Sequence, residues 1–282
     1  MTTEILDTDE APLAVHSWGG DGVPVLLAHP TGFHGVTWAP VARRLVERGY
    51  RVWSFDFRGH GDSARSPNGY DWQGYARDVG AVTRHLGLDG DTRLMAGGHS
   101  KGAAALLLDE ADHPGRYARL WCYEPIMFAA SVPADFDNPL SRSARRRRGH
   151  WPSKEEAERN YASKPPLDVL DPEALHAYVE HGLRPSSRGG FELKCLPEDE
   201  ADTYAMGVRN GLLDRLGQIR APVLVACGEH TDAITPAFAA RIVDALPSAR
   251  LEVFAGLGHF GPMEDPDRIV ESIRAFDDAT AR

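Results

Sequence analysis

Gly98-His99-Ser100-Lys101-Gly102 is the stretch around which the rest of the chain organises itself. The five residues fit G-x-S-x-G. The apolar run Thr92-Arg93-Leu94-Met95-Ala96 precedes them and reads as a buried strand. Ala103-Ala104-Ala105-Leu106-Leu107-Leu108 follows and reads as a buried helix. Strand, sharp turn and helix lift a serine hydroxyl above a sheet edge and aim the first N–H groups of the helix at the same point. The flanking glycines suit a turn in which backbone approaches backbone and a Cβ would clash.

A serine alone is a weak nucleophile. It needs a base, and the base needs a group that orients it. Two later strand ends offer candidates. Ala221-Pro222-Val223-Leu224-Val225-Ala226-Cys227 ends in a loop carrying Asp232, and Leu251-Glu252-Val253-Phe254 ends in a loop carrying His259. Imidazole titrates close enough to neutrality to take and return a proton, and a carboxylate on its other nitrogen fixes the tautomer. A third strand, Arg119-Leu120-Trp121-Cys122-Tyr123, is followed at once by Glu124-Pro125.

On these residues the chain resembles the α/β-hydrolases over nearly its whole length outside one middle insert. The resemblance implies Ser100 as nucleophile, Asp232 as acid and His259 as base, in the order Ser, acid, His. Some members place the acid after the earlier strand, so Glu124 is the alternative. The resemblance also implies an oxyanion hole with one backbone N–H from Lys101 and one from the loop after the strand Val25-Leu26-Leu27-Ala28-His29. Pro30 has no N–H to give, which leaves Thr31 as the donor and Gly32 behind it. Lys101, Gly32 and Phe33 are expected to border the substrate pocket. Lys101 stands where the family more often has an uncharged residue. Three destinations are open to its ammonium: Glu124, a substrate carboxylate, or solvent reached along the pocket wall. Asp56-Phe57-Arg58-Gly59-His60-Gly61-Asp62-Ser63 resembles a turn of the same family that holds the loop at the site's mouth, and His60 is read as part of that turn.

The expected fold is α/β. Residues 1–18 suggest a hairpin turning at Thr8-Asp9-Glu10, and strands then alternate with helices, which gives a mostly parallel sheet with helices on both faces. The core is expected to span 1–125 and 220–282. Residues 126–219 interrupt the alternation with polar, proline-containing, helix-leaning sequence, and resemble the helical cap that covers the pocket in these hydrolases. Arg145-Arg146-Arg147-Arg148 lies in this insert and reads as a solvated, charged helix face, with contact to an anionic substrate as the alternative.

With 282 residues, 42% hydrophobic content and a formal charge of −10, the chain can bury a large core, and an acidic balance argues against nucleic acid or an anionic membrane as partner. A small-molecule substrate is the expected partner, and a homo-oligomer is compatible with this reading. The first residues lack the basic start and apolar stretch of a signal peptide. Cys122, Cys195 and Cys227 read as reduced thiols, so a cytoplasmic location is expected. Gly256-Leu257-Gly258-His259-Phe260-Gly261 matches G-x-G-x-x-G, but a dinucleotide unit needs a further strand and an acidic residue about 20 positions on. Neither a cofactor nor a metal is expected. The resulting expectation is a serine hydrolase of a small ester, thioester, lactone or amide acting through an acyl-enzyme. Carbon–carbon hydrolysis, lyase chemistry or cofactor-free perhydrolysis on the same three residues is the alternative, and a non-catalytic ligand-binding protein stands behind these.

Overall fold

A computed structural model describes residues 1–127, 138–207 and 210–280. In chain order the strands are β1 (Thr2–Leu6), β2 (Leu13–Gly19), β3 (Pro24–Ala28), β4 (Arg51–Phe55), β5 (Met95–His99), β6 (Arg119–Tyr123), β7 (His150–Trp151), β8 (Leu183–Pro185), β9 (Phe191–Leu193), β10 (Val223–Gly228) and β11 (Ala249–Phe254). The helices are α1 (Ala39–Glu47), α2 (Trp72–His85), α3 (Lys101–Asp112), α4 (Pro139–Arg145), α5 (Lys154–Ala162), α6 (Pro172–Gly182), α7 (Pro197–Met206), α8 (Pro236–Ala245), α9 (Gly261–Glu264) and α10 (Pro266–Thr280).

Eight strands form one sheet in the order β1-β2-β4-β3-β5-β6-β10-β11. β1 pairs with β2 and β2 with β4 in antiparallel sense. Every pairing from β4 through β11 is parallel. The central strands are apolar on both faces, as parallel strands covered by helices must be: all of Pro24–Ala28, Met95–His99 and Val223–Gly228 are buried. One apolar cluster joins α2, α3 and α8 to one side of the sheet, and a second joins α1 and α10 to the other. This is the architecture expected from the alternation.

Sequence local to each helix sets its start. The Asp71 side chain accepts from Gly74 N–H at the head of α2, Ser153 from Glu156 N–H at α5, and Asp171 from Glu173 N–H at α6. Each satisfies an amide that the helix itself cannot. The insert between β6 and β10 carries α4 to α7 and also a small antiparallel sheet in the order β7-β9-β8. The insert is therefore mixed rather than purely helical. Its strands are two or three residues long, too short to leave a period-2 pattern.

Candidate active site

Ser100 sits between β5 and α3 at φ 55° and ψ −114°. A non-glycine residue at positive φ is strained and is held only where its surroundings fix it. Its N–H donates to the Tyr123 carbonyl at 2.9 Å, across the β5–β6 pairing. The glycines on either side are required by contact. A Cβ on Gly98 would lie 2.6 Å from the Ala103 backbone, and one on Gly102 would lie 2.3 Å from the Ala28 carbonyl oxygen. The G-x-S-x-G spacing thus places α3 hard against β3 and β5 with Ser100 at the apex. Lys101 is the first residue of α3, so its N–H belongs to the amides a helix leaves unpaired.

His259 lies on the loop after β11, and its Nδ1 donates to Glu124 Oε2 at 2.6 Å. Glu124 is fully buried. It also accepts from Gly228 N–H at 3.0 Å and from the Thr231 hydroxyl at 2.8 Å. Three donors converge on this carboxylate, which offsets the cost of burying it. Asp232, the acid the sequence favoured, does not hold this place. It is exposed, borders the same cavity as Ser100 and His259, and among the described residues no hydrogen bond or ion pair joins it to His259. The reason is positional. Glu124 follows β6 directly, and its N–H is bound by the Ala226 carbonyl of β10 at 2.8 Å. It therefore enters the sheet's carboxyl edge between Ser100 and the histidine loop. Asp232 lies four residues beyond the end of β10, and from that loop it is the Thr231 hydroxyl that reaches Glu124.

The loop after β3 is pinned by a histidine. Phe57 N–H donates to His29 Nε2 at 3.0 Å, so the proton is on Nδ1, which donates to the Pro30 carbonyl at 2.7 Å. Burial, reinforced by the nearby Lys101 charge, holds His29 well below its usual range, in keeping with this neutral tautomer. Thr31 borders the reaction cavity, while Gly32 and Phe33 border a second cavity beside it. Phe33 packs on Tyr178 at 4.8 Å and Phe260 at 5.5 Å between ring centroids.

Lys101 borders the reaction cavity too, but among the described residues its ammonium reaches neither Glu124 nor solvent. The side chain is 1% exposed. Nζ lies 4.4 Å from the ring centroids of both Phe57 and Tyr75, and 3.3 Å from His60 Nε2. Two ring faces and an imidazole lone pair stand in for a carboxylate. His60 Nδ1 donates to the Arg58 carbonyl, which leaves Nε2 free to accept. Burial pulls the Lys101 ammonium down to about 7. The turn from Asp56 to Ser63 is structural, as expected: Asp56 accepts from Gly35 N–H at 2.6 Å and Asp62 N–H at 2.7 Å.

The reaction cavity measures about 350 Å³ and the second about 260 Å³. Thr31, Leu140, Pro166, Tyr204 and Phe260 border both, so residues of the main sheet's loops and of the insert together form the partition. The arginine run divides in a way its charge pattern does not announce. Arg145 pairs with Asp202 and Arg148 with Glu156 at the surface. Arg147 instead turns into the second cavity, where it binds Glu200, Tyr178 and Tyr161. No helix among the described residues is long and apolar enough to cross a membrane.

The model of the alpha/beta hydrolase family matches residues 25–272. Among curated proteins, the chain is 26% identical to a non-heme haloperoxidase of Rhodococcus erythropolis, over 89% of this chain and 90% of that one. It is 23% identical to a bifunctional esterase/perhydrolase of Acinetobacter calcoaceticus, over 95% and 96%. Among solved structures, E-2-(acetamidomethylene)succinate hydrolase superposes with a TM-score of 0.84 at 22% identity, covering 98% of this chain and 99% of that one. The thioesterase domain from the curacin biosynthetic pathway gives 0.82 at 20% identity, covering 97% and 99%.

Proposed function

Because this chain belongs to the α/β-hydrolase family, we propose that it is a serine hydrolase that cleaves a small carboxylic ester, with Ser100 as nucleophile, His259 as base and Glu124 as the orienting acid. The observation that carries this reading is the 2.6 Å bond from His259 Nδ1 to Glu124, in a cavity shared by His259 and a strained Ser100. With Nδ1 committed as a donor, Nε2 presents its lone pair and can take the Ser100 proton. Ser100 Oγ then bonds the acyl carbon. The carbonyl electrons move to the oxygen, which the Lys101 and Thr31 N–H groups are proposed to bind. The oxyanion collapses, the carbon–oxygen ester bond breaks, and the alcohol leaves with the proton from His259. Water repeats the sequence on the acyl-enzyme and releases the acid and free Ser100. A thioester, lactone or amide enters the same cycle with a different leaving atom. Residues 126–219 act as the cap, closing the cavity over the acyl-enzyme and limiting bulk water.

A second reading draws on the relatives. The esterase/perhydrolase and the haloperoxidase suggest that hydrogen peroxide can replace water in the second half-reaction, releasing a peroxyacid from the same acyl-enzyme.

A fluorophosphonate probe tests the main reading. It should label the wild-type protein at Ser100 and leave Ser100→Ala unlabelled. Turnover of p-nitrophenyl butyrate should vanish with the label. Labelling or turnover that survives in Ser100→Ala would remove Ser100 from the mechanism. Peroxyacid formation from methyl acetate and hydrogen peroxide, absent in the same variant, would support the second reading.

A further inference from the structure

Three phenols, Tyr161, Tyr178 and Tyr204, line the second cavity. Arg147 Nη2 donates to Tyr178 Oη at 2.6 Å and to Tyr161 Oη at 3.2 Å. A guanidinium only donates, so both phenol oxygens accept and both O–H groups remain to be given away. No acceptor for them exists among the described residues, nor for the Tyr204 hydroxyl. Burial raises the Tyr178 and Tyr204 hydroxyls above their usual range, so both stay protonated. The chamber is thus an aromatic pocket with unused O–H donors.

Its inward-turned cation is paired. Arg147 is the inward cation, and Glu200 takes its Nη1. The Glu200 carboxylate also faces the oxyanion loop: a Cβ on Gly32 would lie 2.6 Å from Glu200 Oε1. Lys164 stands on the lining as well, but it belongs to an exposed turn. An incoming carboxylate would lose its hydration and meet Glu200 before it could displace that carboxylate from Arg147. An uncharged oxygen acceptor incurs neither cost.

We propose that the second chamber is a specificity subsite for the distal part of an uncharged acyl chain bearing a ketone, ester or ether oxygen, which Tyr161, Tyr178 and Tyr204 recognise as donors and from which Glu200 excludes carboxylates. The proposal rests on the serine-hydrolase reading, since it places the reacting carbonyl at Ser100 and the distal oxygen across the shared partition. The reaction cavity alone lies near the lower limit for ligand pockets, roughly 300 Å³. A substrate that fills both chambers is more fully enclosed and gains a second anchoring point.

The test is a matched series of p-nitrophenyl esters with four to eight acyl carbons. At each length the chain ends in a methyl group, a methyl ketone, a methyl ester or a free carboxylate. At the optimal length the ketone or methyl ester should exceed the plain alkanoate in kcat/KM by about tenfold, the worth of one good hydrogen bond. The free carboxylate should fall at least about tenfold below its own methyl ester. In the triple variant Tyr161→Phe, Tyr178→Phe, Tyr204→Phe the ketone and methyl ester should lose their advantage and fall to the kcat/KM of the plain alkanoate of the same length. Glu200→Gln should raise the carboxylate substrate selectively. A carboxylate that matches or beats its methyl ester, or no oxygen preference at any length, overturns the proposal. Calorimetric binding of dimethyl adipate and monomethyl adipate to Ser100→Ala decides the subsite without turnover: preference for the diester supports it, and parity or reversal overturns it. Hydrolysis of plain alkanoates without the preference sinks the subsite alone. Absence of any Ser100-dependent turnover, with the diester still preferred in binding, sinks the serine-hydrolase reading alone.

Discussion

Replacing Lys101 by methionine should change how the stability of this protein depends on pH. Lys101 is fully buried, among the described residues no carboxylate is in hydrogen-bond contact with it, and burial lowers it from 10.5 to about 7. Above pH 10.5 the amine is neutral in both folded and unfolded chains, so ionisation costs the fold nothing. Between pH 10.5 and 7 the unfolded chain holds a proton that the folded chain does not, and stability falls as pH falls. Below 7 both states are protonated, and the full penalty is present. At 1.36 kcal/mol per pKa unit, the whole window is worth about 5 kcal/mol, a large share of the ~5–15 kcal/mol by which domains are typically stable. Methionine keeps the length and apolar bulk of the stem and removes the charge. Urea unfolding of wild type and Lys101→Met should therefore be compared at pH 7.5, 8.5 and 9.5. The advantage of Lys101→Met should shrink by about 2–3 kcal/mol across that range. The difference between variants cancels groups that titrate alike in both, and the range lies above the buried histidines that Lys101 influences. Stability curves that run parallel over these three pH values would refute the account of Lys101 as a caged, proton-shedding amine.

Other outcomes follow from the same geometry. Glu124→Gln should lose on the order of 10⁴ in kcat, the loss that an acid-to-amide change causes in a serine-protease triad by imposing the wrong imidazole tautomer, whereas Asp232→Asn should stay within a few-fold; steady-state kinetics on p-nitrophenyl butyrate reverse the assignment if Asp232→Asn is the crippled protein. Gly102→Ala puts a Cβ 2.3 Å from the Ala28 carbonyl oxygen and should cost at least about 1–3 kcal/mol by overpacking; an unchanged urea midpoint would mean that α3 can move away from β3. His34 is buried with Nε2 on the Tyr178 carbonyl at 3.1 Å, and burial lowers it to about 4 from 6.5. Its contribution is complete above pH 6.5 and is lost as pH falls towards 4, up to about 3 kcal/mol; His34→Asn should flatten the acid limb of the stability curve by that amount, and an unaltered limb counts against it.

Much of this protein was legible in the chain. Alternating apolar strands and amphipathic helices specify a parallel sheet because each strand must be covered on both faces. Gly98, Ser100 and Gly102 are legible because a turn that tight tolerates few alternatives, and the contacts at Ala103 and Ala28 are the physical content of that pattern. His259 is legible from its place at a strand end. The partner of that histidine is another matter. Asp232 and Glu124 both follow strands and both are carboxylates, so sequence offers no local property that separates them. The choice is made by strand order: β6 lies between β5 and β10, and this brings Glu124 to the histidine loop while a four-residue extension leaves Asp232 exposed at the cavity's border. Arg147 and Lys101 teach the same lesson about charge. Four consecutive arginines look alike in sequence, and only the path of the chain after α4 turns the third one inward. A lysine beside the nucleophile looks destined for a carboxylate or for water until Phe57, Tyr75 and His60, remote from it in the chain, close around its ammonium. Periodicity and turn chemistry are short-range and can be read along the chain, whereas the partner of a buried charge is fixed by contacts between segments far apart in sequence, and those exist only once the sheet has ordered its strands.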